Sequence, residues 1–311
     1  MNRYFCEGST VDTKENLEYT KSINSLEKAM LTKTVLEQRA LVFDTDKNLV
    51  VNLGSVKGVI PYYECALGLD DGTARDISVI SRVGKPVCFI VTGFDYDSCG
   101  NRIAILSRRF VQQQCLENYI SALRIGDIID CKVTHLESFG CFCDVGCGIS
   151  ALLPIDYISV SRISHPRERI YVGMDLKCAI KSIDEHGRLL LTHKELLGSW
   201  EENSALFKPG ETVFGMVRSI EDYGVFVELT PNLAGLAEPC DKARLSCGAS
   251  VYIKSIIPER MKIKLIIIDC FEPETHSIAN FSYFFNQSHI DEFQYSPANC
   301  AKRVESIFIS G

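Results

Sequence analysis

Apolar and polar residues alternate with a period of two over much of this chain, in short runs closed by glycine, asparagine and aspartate, which predicts strands joined by tight turns. Between Thr34 and Arg109 the runs are VLEQRALVF, NLVVNLG, GVIPYY, VCFIVTGF and RIAILS. SFGCFCDVGCGISALLPID, from Ser138 to Asp156, reads as strand, turn and strand. Its aromatics, Phe139 and Phe142, lie three apart across Gly140, so a bulged or strongly twisted strand would turn both to one face. Helical spacing is confined to the joints. Ile23, Leu26 and Met30 share a face after Ser22, and Val111, Cys115, Tyr119 and Ala122 predict a helical connector from Arg109 to Leu123. Leu196, Leu197 and Leu206 surround Trp200, which is expected to pack a linker helix against its neighbour instead of stacking on a ligand. The polar residues before about position 20 are expected to be disordered.

The aromatic stretch recurs. In IEDYGVFVELTPNLAGLAEP, Ile220 to Pro239, Tyr223 and Phe226 take the places of Phe139 and Phe142, 84 residues on, and Gly224 matches Gly140. A weaker copy upstream, Phe43 to Glu64, keeps VNLG and GVIP but puts Lys47 and Val50 where the aromatics stand. Three copies in one chain make a repeat architecture.

These segments resemble the S1-type RNA-binding domain, whose glycine-aromatic strand and following GLV run are matched here from Gly126 through SALLPID to Lys194. The resemblance extends over about two thirds of the chain, and its tandem form is similar to the bacterial ribosomal protein S1 group. It implies a mainly β fold of three tandem five-stranded OB-fold barrels joined by short helical linkers. The expected division is a tail and short helix at 1–33, a degenerate repeat at 34–109, repeats at 125–197 and 209–270, and an extension at 271–311 whose Phe284, Phe285 and Phe293 pack on a neighbour. Where the family often has a histidine after the GLV run, this chain has Pro61, Pro154 and Glu238.

Charge narrows the picture. The 311 residues carry a formal net charge of −7, and no repeat is basic, so coating of nucleic acid by charge alone is not expected. Fourteen cysteines, a polar start and no apolar run near membrane-spanning length point to a reduced, cytoplasmic protein with no membrane partner. Cys141, Cys143 and Cys147 raise a zinc hypothesis, but no paired CxxC or HxxxH completes a site, so they are read as small core residues, with no metal and no cofactor.

A paired exposed aromatic face is what single-stranded nucleic acid needs, because every base has a π-face to stack. The candidate RNA-binding residues of the second repeat are therefore Phe139 and Phe142, with Lys132 and His135 on its first strand, Arg162, Arg167 and Arg169 in YISVSRISHPRERI, and Arg188 at the family's arginine position. Tyr223, Phe226, Arg218, Lys262 and Lys264 form a second candidate in the third repeat, where Glu238 would repel phosphate. The first repeat, without stacking aromatics, either docks or caps the array. No Walker loop, HExxH or GxSxG is present, and the ends are too short for a catalytic domain, so no enzyme is expected. The expected partners are single-stranded RNA, in particular mRNA, and the small ribosomal subunit. A protein-docking adaptor or an accessory factor of RNA processing and decay is the alternative.

Overall fold

The computed structural model describes residues 4–272 and 281–308. It divides into two compact units, one of residues 1–123 with 144–150 and one of 124–143 with 151–311. The strands close into three five-stranded barrels, as the period-two runs and the resemblance lead one to expect.

The first barrel is built from β1 (Leu36–Phe43), β2 (Leu49–Asn52), β3 (Lys57–Ile60), β4 (Pro86–Tyr96) and β5 (Arg102–Ser107), in the order β1-β2-β3-β5-β4. Its centre is filled by Leu36, Leu49, Val51, Ile60, Val87, Phe89 and Leu106, all buried. Two helices precede it. In α2 (Ile23–Thr32) Leu26 and Ala29 lie on the buried face, the Ser22 hydroxyl accepts from Ser25 N, and Lys33 ends the helix in a left-handed conformation. A third helix, α3 (Ile77–Ile80), lies in the long β3–β4 connection, and α4 (Arg109–Asn118) follows the barrel.

Residues 4–20 are ordered, not disordered. Helix α1 (Lys14–Thr20) is capped by Thr13, and Asn16 is buried, donating to Val11 O and Glu37 O while accepting from Glu37 N. The buried Glu7 carboxylate accepts from Arg108 Nε at 2.6 Å and Nη2 at 3.0 Å and from Cys88 N. Glu7 N donates to Asp144 Oδ2 at 2.7 Å, and burial, then Glu7, pushes the Asp144 carboxyl up to about 6. These polar residues serve interior partners, which their polarity alone does not reveal.

The second barrel comprises β6 (Ile128–Glu137), β7 (Gly140–Asp144), β8 (Ser150–Pro154), β9 (Asp175–Ile183) and β10 (Leu189–Thr192). The third comprises β11 (Thr212–Glu221), β12 (Gly224–Thr230), β13 (Leu233–Ala237), β14 (Gly248–Ile257) and β15 (Lys262–Phe271). Between them, α5 (Trp200–Ser204) carries Trp200 at 2% exposure into the core of the third barrel, as the leucine spacing around it predicts. Asn232, fully buried, donates to Lys194 O and Gly198 O and accepts from Val160 N, tying the second and third barrels together.

Residues 281–308 pack within the second unit. Phe285 and Phe293 join Ile290, Phe308 and Ala179 in one cluster, Phe284 lies against Gly198, and β16 (Glu292–Gln294) pairs with β17 (Glu305–Ile307). Among the described residues no helix is long and apolar enough to cross a membrane.

Candidate nucleic-acid interface

Two glycines shape the site. A Cβ on Gly140 would lie 2.4 Å from Leu153 O, and one on Gly224 would lie 2.4 Å from Ala237 O, so only glycine lets these strands approach their neighbours. Each follows an exposed aromatic. Phe139 (53% exposed) meets half-buried Phe142 edge-on at 6.2 Å and 88°, and Tyr223 (67%) meets Phe226 at 6.3 Å and 89°. The same arrangement is thus made twice, with one ring standing free and the other seated on the sheet.

Strand register extends the face. In the third barrel Ser219, Phe226, Leu236 and Lys264 lie side by side across β11, β12, β13 and β15. The 84-residue offset puts His135 in the place of Ser219, and Leu190 stands opposite Leu152 at the other end of the second barrel's row. His135 is exposed and 2.8 Å from Glu137, and Arg188 is exposed and tied to Asp184 at 2.7 Å. Lys262, Lys264, Arg162 and Arg167 are exposed. Lys132 stands opposite Asp175 on β9, 2.7 Å from its carboxylate, away from the β6–β7 side that carries the rings.

Two arginines expected on the surface are consumed internally. Arg169 is buried, its Nη1 and Nη2 donating to Glu228 at 2.8 and 2.5 Å. Arg218 donates through Nε to Glu228 at 2.7 Å and through Nη1 to Glu168 at 2.5 Å. Burial alone would raise the Glu168 carboxyl, but the Ser164 hydroxyl and amide, then Arg218, hold it below its usual range. A guanidinium committed to two buried carboxylate oxygens is not available to phosphate.

The first barrel has the corresponding row Val42, Val50, Val59 and Ile105, with Val50 and Val59 buried. It is not free of aromatics, as the sequence comparison had it. Tyr62 stands beside the row, where Lys47 Nζ lies 5.1 Å from its ring centroid and Asp76 accepts from both its hydroxyl and Lys47. These two donors, Tyr62 first, hold the Asp76 carboxyl below the usual range. The pairing of Tyr62 with Asp76 belongs to the long β3–β4 connection, and only the turn signals in that stretch were available to announce it.

The cysteine run does not converge. Cys141 and Cys143 face each other in the interior at 3.9 Å, and Cys131 meets Cys178 at 3.6 Å, whereas the Cys147 thiol faces Cys88 and Cys115. Among the described residues no three metal-ligating side chains gather into a site.

Residues 122–194, the connector end and second barrel, match the family described as S1 RNA binding domain. That barrel matches an S1-type domain. It is 29% identical over 268 residues to the small ribosomal subunit protein bS1 homolog of Bacillus subtilis, covering 84% of this chain and 66% of that protein. With small ribosomal subunit protein bS1 of Staphylococcus aureus it shares 30% over 270 residues, 84% of this chain and 65% of the relative. The chain therefore spans just under two thirds of the length of these curated relatives. A crystal structure of a multidomain protein with nucleic acid binding domains from Streptococcus pneumoniae overlaps 76% of this chain and 73% of its own, at 13% identity and a TM-score of 0.26.

Proposed function

We propose that this protein is a noncatalytic, cytoplasmic binder of single-stranded RNA that acts on mRNA in translation in association with the small ribosomal subunit. The observation that carries the reading is the aromatic pair made twice with one geometry, Phe139 with Phe142 and Tyr223 with Phe226, each with one ring exposed. Stacking is worth roughly 1–3 kcal/mol per base, so one pair holds RNA weakly and two pairs on one body hold it usefully. The names of the bS1 relatives supply the ribosomal context. Exposed Arg162, Arg167, Arg188, Lys262 and Lys264, with His135, are the residues assigned to the strand's backbone, and Lys132 is an outlying member.

Fluorescence anisotropy with a labelled single-stranded RNA of about 12 nucleotides, within the site size of one or two OB folds, tests this directly. The 311-residue chain should bind, and a chain beginning at Arg124 should retain most of the affinity. With two or three phosphates neutralised at about −0.7 each, log affinity should fall with log salt at a slope near −2. Absence of binding at low salt would overturn the reading. The adaptor alternative is favoured for the first barrel alone, whose row is aliphatic and whose Tyr62 is engaged by Lys47 and Asp76. Loss of cosedimentation with small subunits on removing residues 1–109, with RNA binding intact, would assign docking to that barrel.

A further inference from the structure

In the second barrel, the outer surface where β6 meets β9 is roofed by the end of the chain. Ile128 N donates to Ser288 O and Ile290 N donates to Gly126 O, both at 2.9 Å, around an antiparallel bridge between Asp127 and His289. Ala179, which stands opposite Ile128, is completely covered, in a cluster with Ile290, Phe308, Phe285 and Phe293. A Cβ on Gly126 would lie 2.2 Å from Ile290 O.

The third barrel repeats this framework, and among the described residues no segment roofs it. Gly210, Glu211 and Thr212 match Gly126, Asp127 and Ile128 at the 84-residue offset, and the bonds into the barrel are the same. Gly126 N donates to Ile180 O as Gly210 N does to Ile253 O, and Asp127 O accepts from Ile180 N as Glu211 O does from Ile253 N. Yet Gly210, Glu211 and Thr212 are exposed, and among the described residues a Cβ on Gly210 meets nothing within 4 Å. Beside them Phe214 and Phe271 lie with ring centroids 5.9 Å apart over Gly248, and Ile266 and Ile268 are exposed as well. In the second barrel the places of Phe214, Met216, Ser250 and Gly248 hold Asp130, Lys132, Lys177 and Asp175, paired across the strands as Asp130 with Lys177 and Lys132 with Asp175. The third barrel has thus exchanged ion pairs for bare apolar surface at the equivalent place, which is the signature of a surface meant to be covered.

We propose that this face of the third barrel docks an extended segment of a partner protein that bears aromatic or aliphatic side chains and forms a short antiparallel bridge with Gly210–Thr212. The chain itself supplies the argument for that occupant, because residues 285–293 already cover the equivalent face of the second barrel in this way, by main-chain bonds for attachment and aromatic side chains for burial. Protein fits better than nucleic acid, since the charges bordering the apolar side chains, Glu211 and Asp269 with its partner Lys242, leave no net positive charge to hold phosphate.

The probe is a fluorescein-labelled peptide of residues 281–296, FSYFFNQSHIDEFQYS, titrated into the 311-residue chain. Saturable binding is expected, with slowed amide exchange at Gly210–Thr212 and an affinity at least about tenfold lower, about 1.4 kcal/mol, in Phe214→Ser with Phe271→Ser. Both side chains are exposed, so the double variant should melt with the wild type. Absence of binding, or protection at Gly126–Ile128 instead, would overturn the proposal. So would a comparable loss of single-stranded RNA affinity in the double variant, which would make the face a nucleic-acid surface. Concentration-dependent self-association abolished by the same substitutions would make it an interface between copies of this chain.

Discussion

The first and third barrels share one strand order and differ in one row of side chains. Across the third run Ser219, Phe226, Leu236 and Lys264, with Tyr223 standing free at the edge, and across the first run Val42, Val50, Val59 and Ile105, with Lys47 turned to Asp76. The backbone is therefore neutral as to task. On the proposed reading, a face that holds a base presents an aromatic that the chain's own groups do not already occupy. In the first barrel the row itself is aliphatic and the nearby Tyr62 is held by Lys47 and Asp76, with the exposed Tyr63 edge-on beside it.

The sharpest way to break this comparison is to strip the second barrel of its rings. Phe139→Ala with Phe142→Ala should cost roughly 2–6 kcal/mol of RNA binding, two bases at the per-base stacking value, with the circular dichroism melt unchanged. Undiminished binding by that folded variant would remove aromatic presentation as the distinction. Next comes Glu228→Gln, which leaves Arg169 and Arg218 with a neutral partner and should lower stability by about 3–5 kcal/mol, read by chemical denaturation. RNA affinity below the unfolding transition should not rise, because the two guanidiniums stay shut between the barrels.

A gain is the more demanding test. Val50→Phe with Asp76→Ala puts a ring into the first barrel's row and releases Tyr62, and a fragment of residues 1–123 carrying both should gain about 1 kcal/mol of RNA binding, the lower end for one stacked base. The smallest effect concerns attachment of residues 288–290. The Asp127 carboxylate, hydrogen-bonded to His289, raises the imidazole's pKa above its unfolded value. The stabilisation is then complete below about pH 6.5, where imidazole is charged even in the unfolded chain, and fades as pH rises through the higher folded value. Amide exchange at Ile128 and Ile290 should quicken over that range, and Asp127→Asn should flatten the dependence.

The barrels were legible because their signal is local: alternation with a period of two, turns closed by glycine or aspartate, and an aromatic before a glycine that two strands require. The aromatic faces could be located for the same reason. Arg169 and Arg218 could not be placed, because the carboxylate that captures Arg169 lies 59 residues away and Glu168 lies 50 residues from Arg218. A count of local charge makes YISVSRISHPRERI look like an open basic patch, while the fold turns one of its three arginines inward. Glu7 and Asn16 misled in the opposite direction, since a polar stretch reads as solvated unless the partners that bury it are known. The extension offered aromatics without periodicity, and its role as a roof depends on a surface of the second barrel that becomes visible only once β6 and β9 are paired.

The thiols in the second barrel's interior bear on how this protein would be lost. Cys131, Cys141, Cys143 and Cys178 are shut from solvent, and Cys141 and Cys178 are shifted above the ordinary thiol range, Cys141 first by its contact with Cys143, while at Cys178 the contact with Cys131 lowers the thiol and is outweighed by burial together with Cys143 and Cys141. Folded, they are poor nucleophiles. Once the barrel opens they become ordinary thiols, partly ionised near neutral pH, and an oxidant can cross-link them in arrangements the closed barrel cannot accept. Heat inactivation without a reductant is therefore governed by the rate of opening rather than by an equilibrium, and its apparent midpoint should move with scan rate until a reductant restores reversibility.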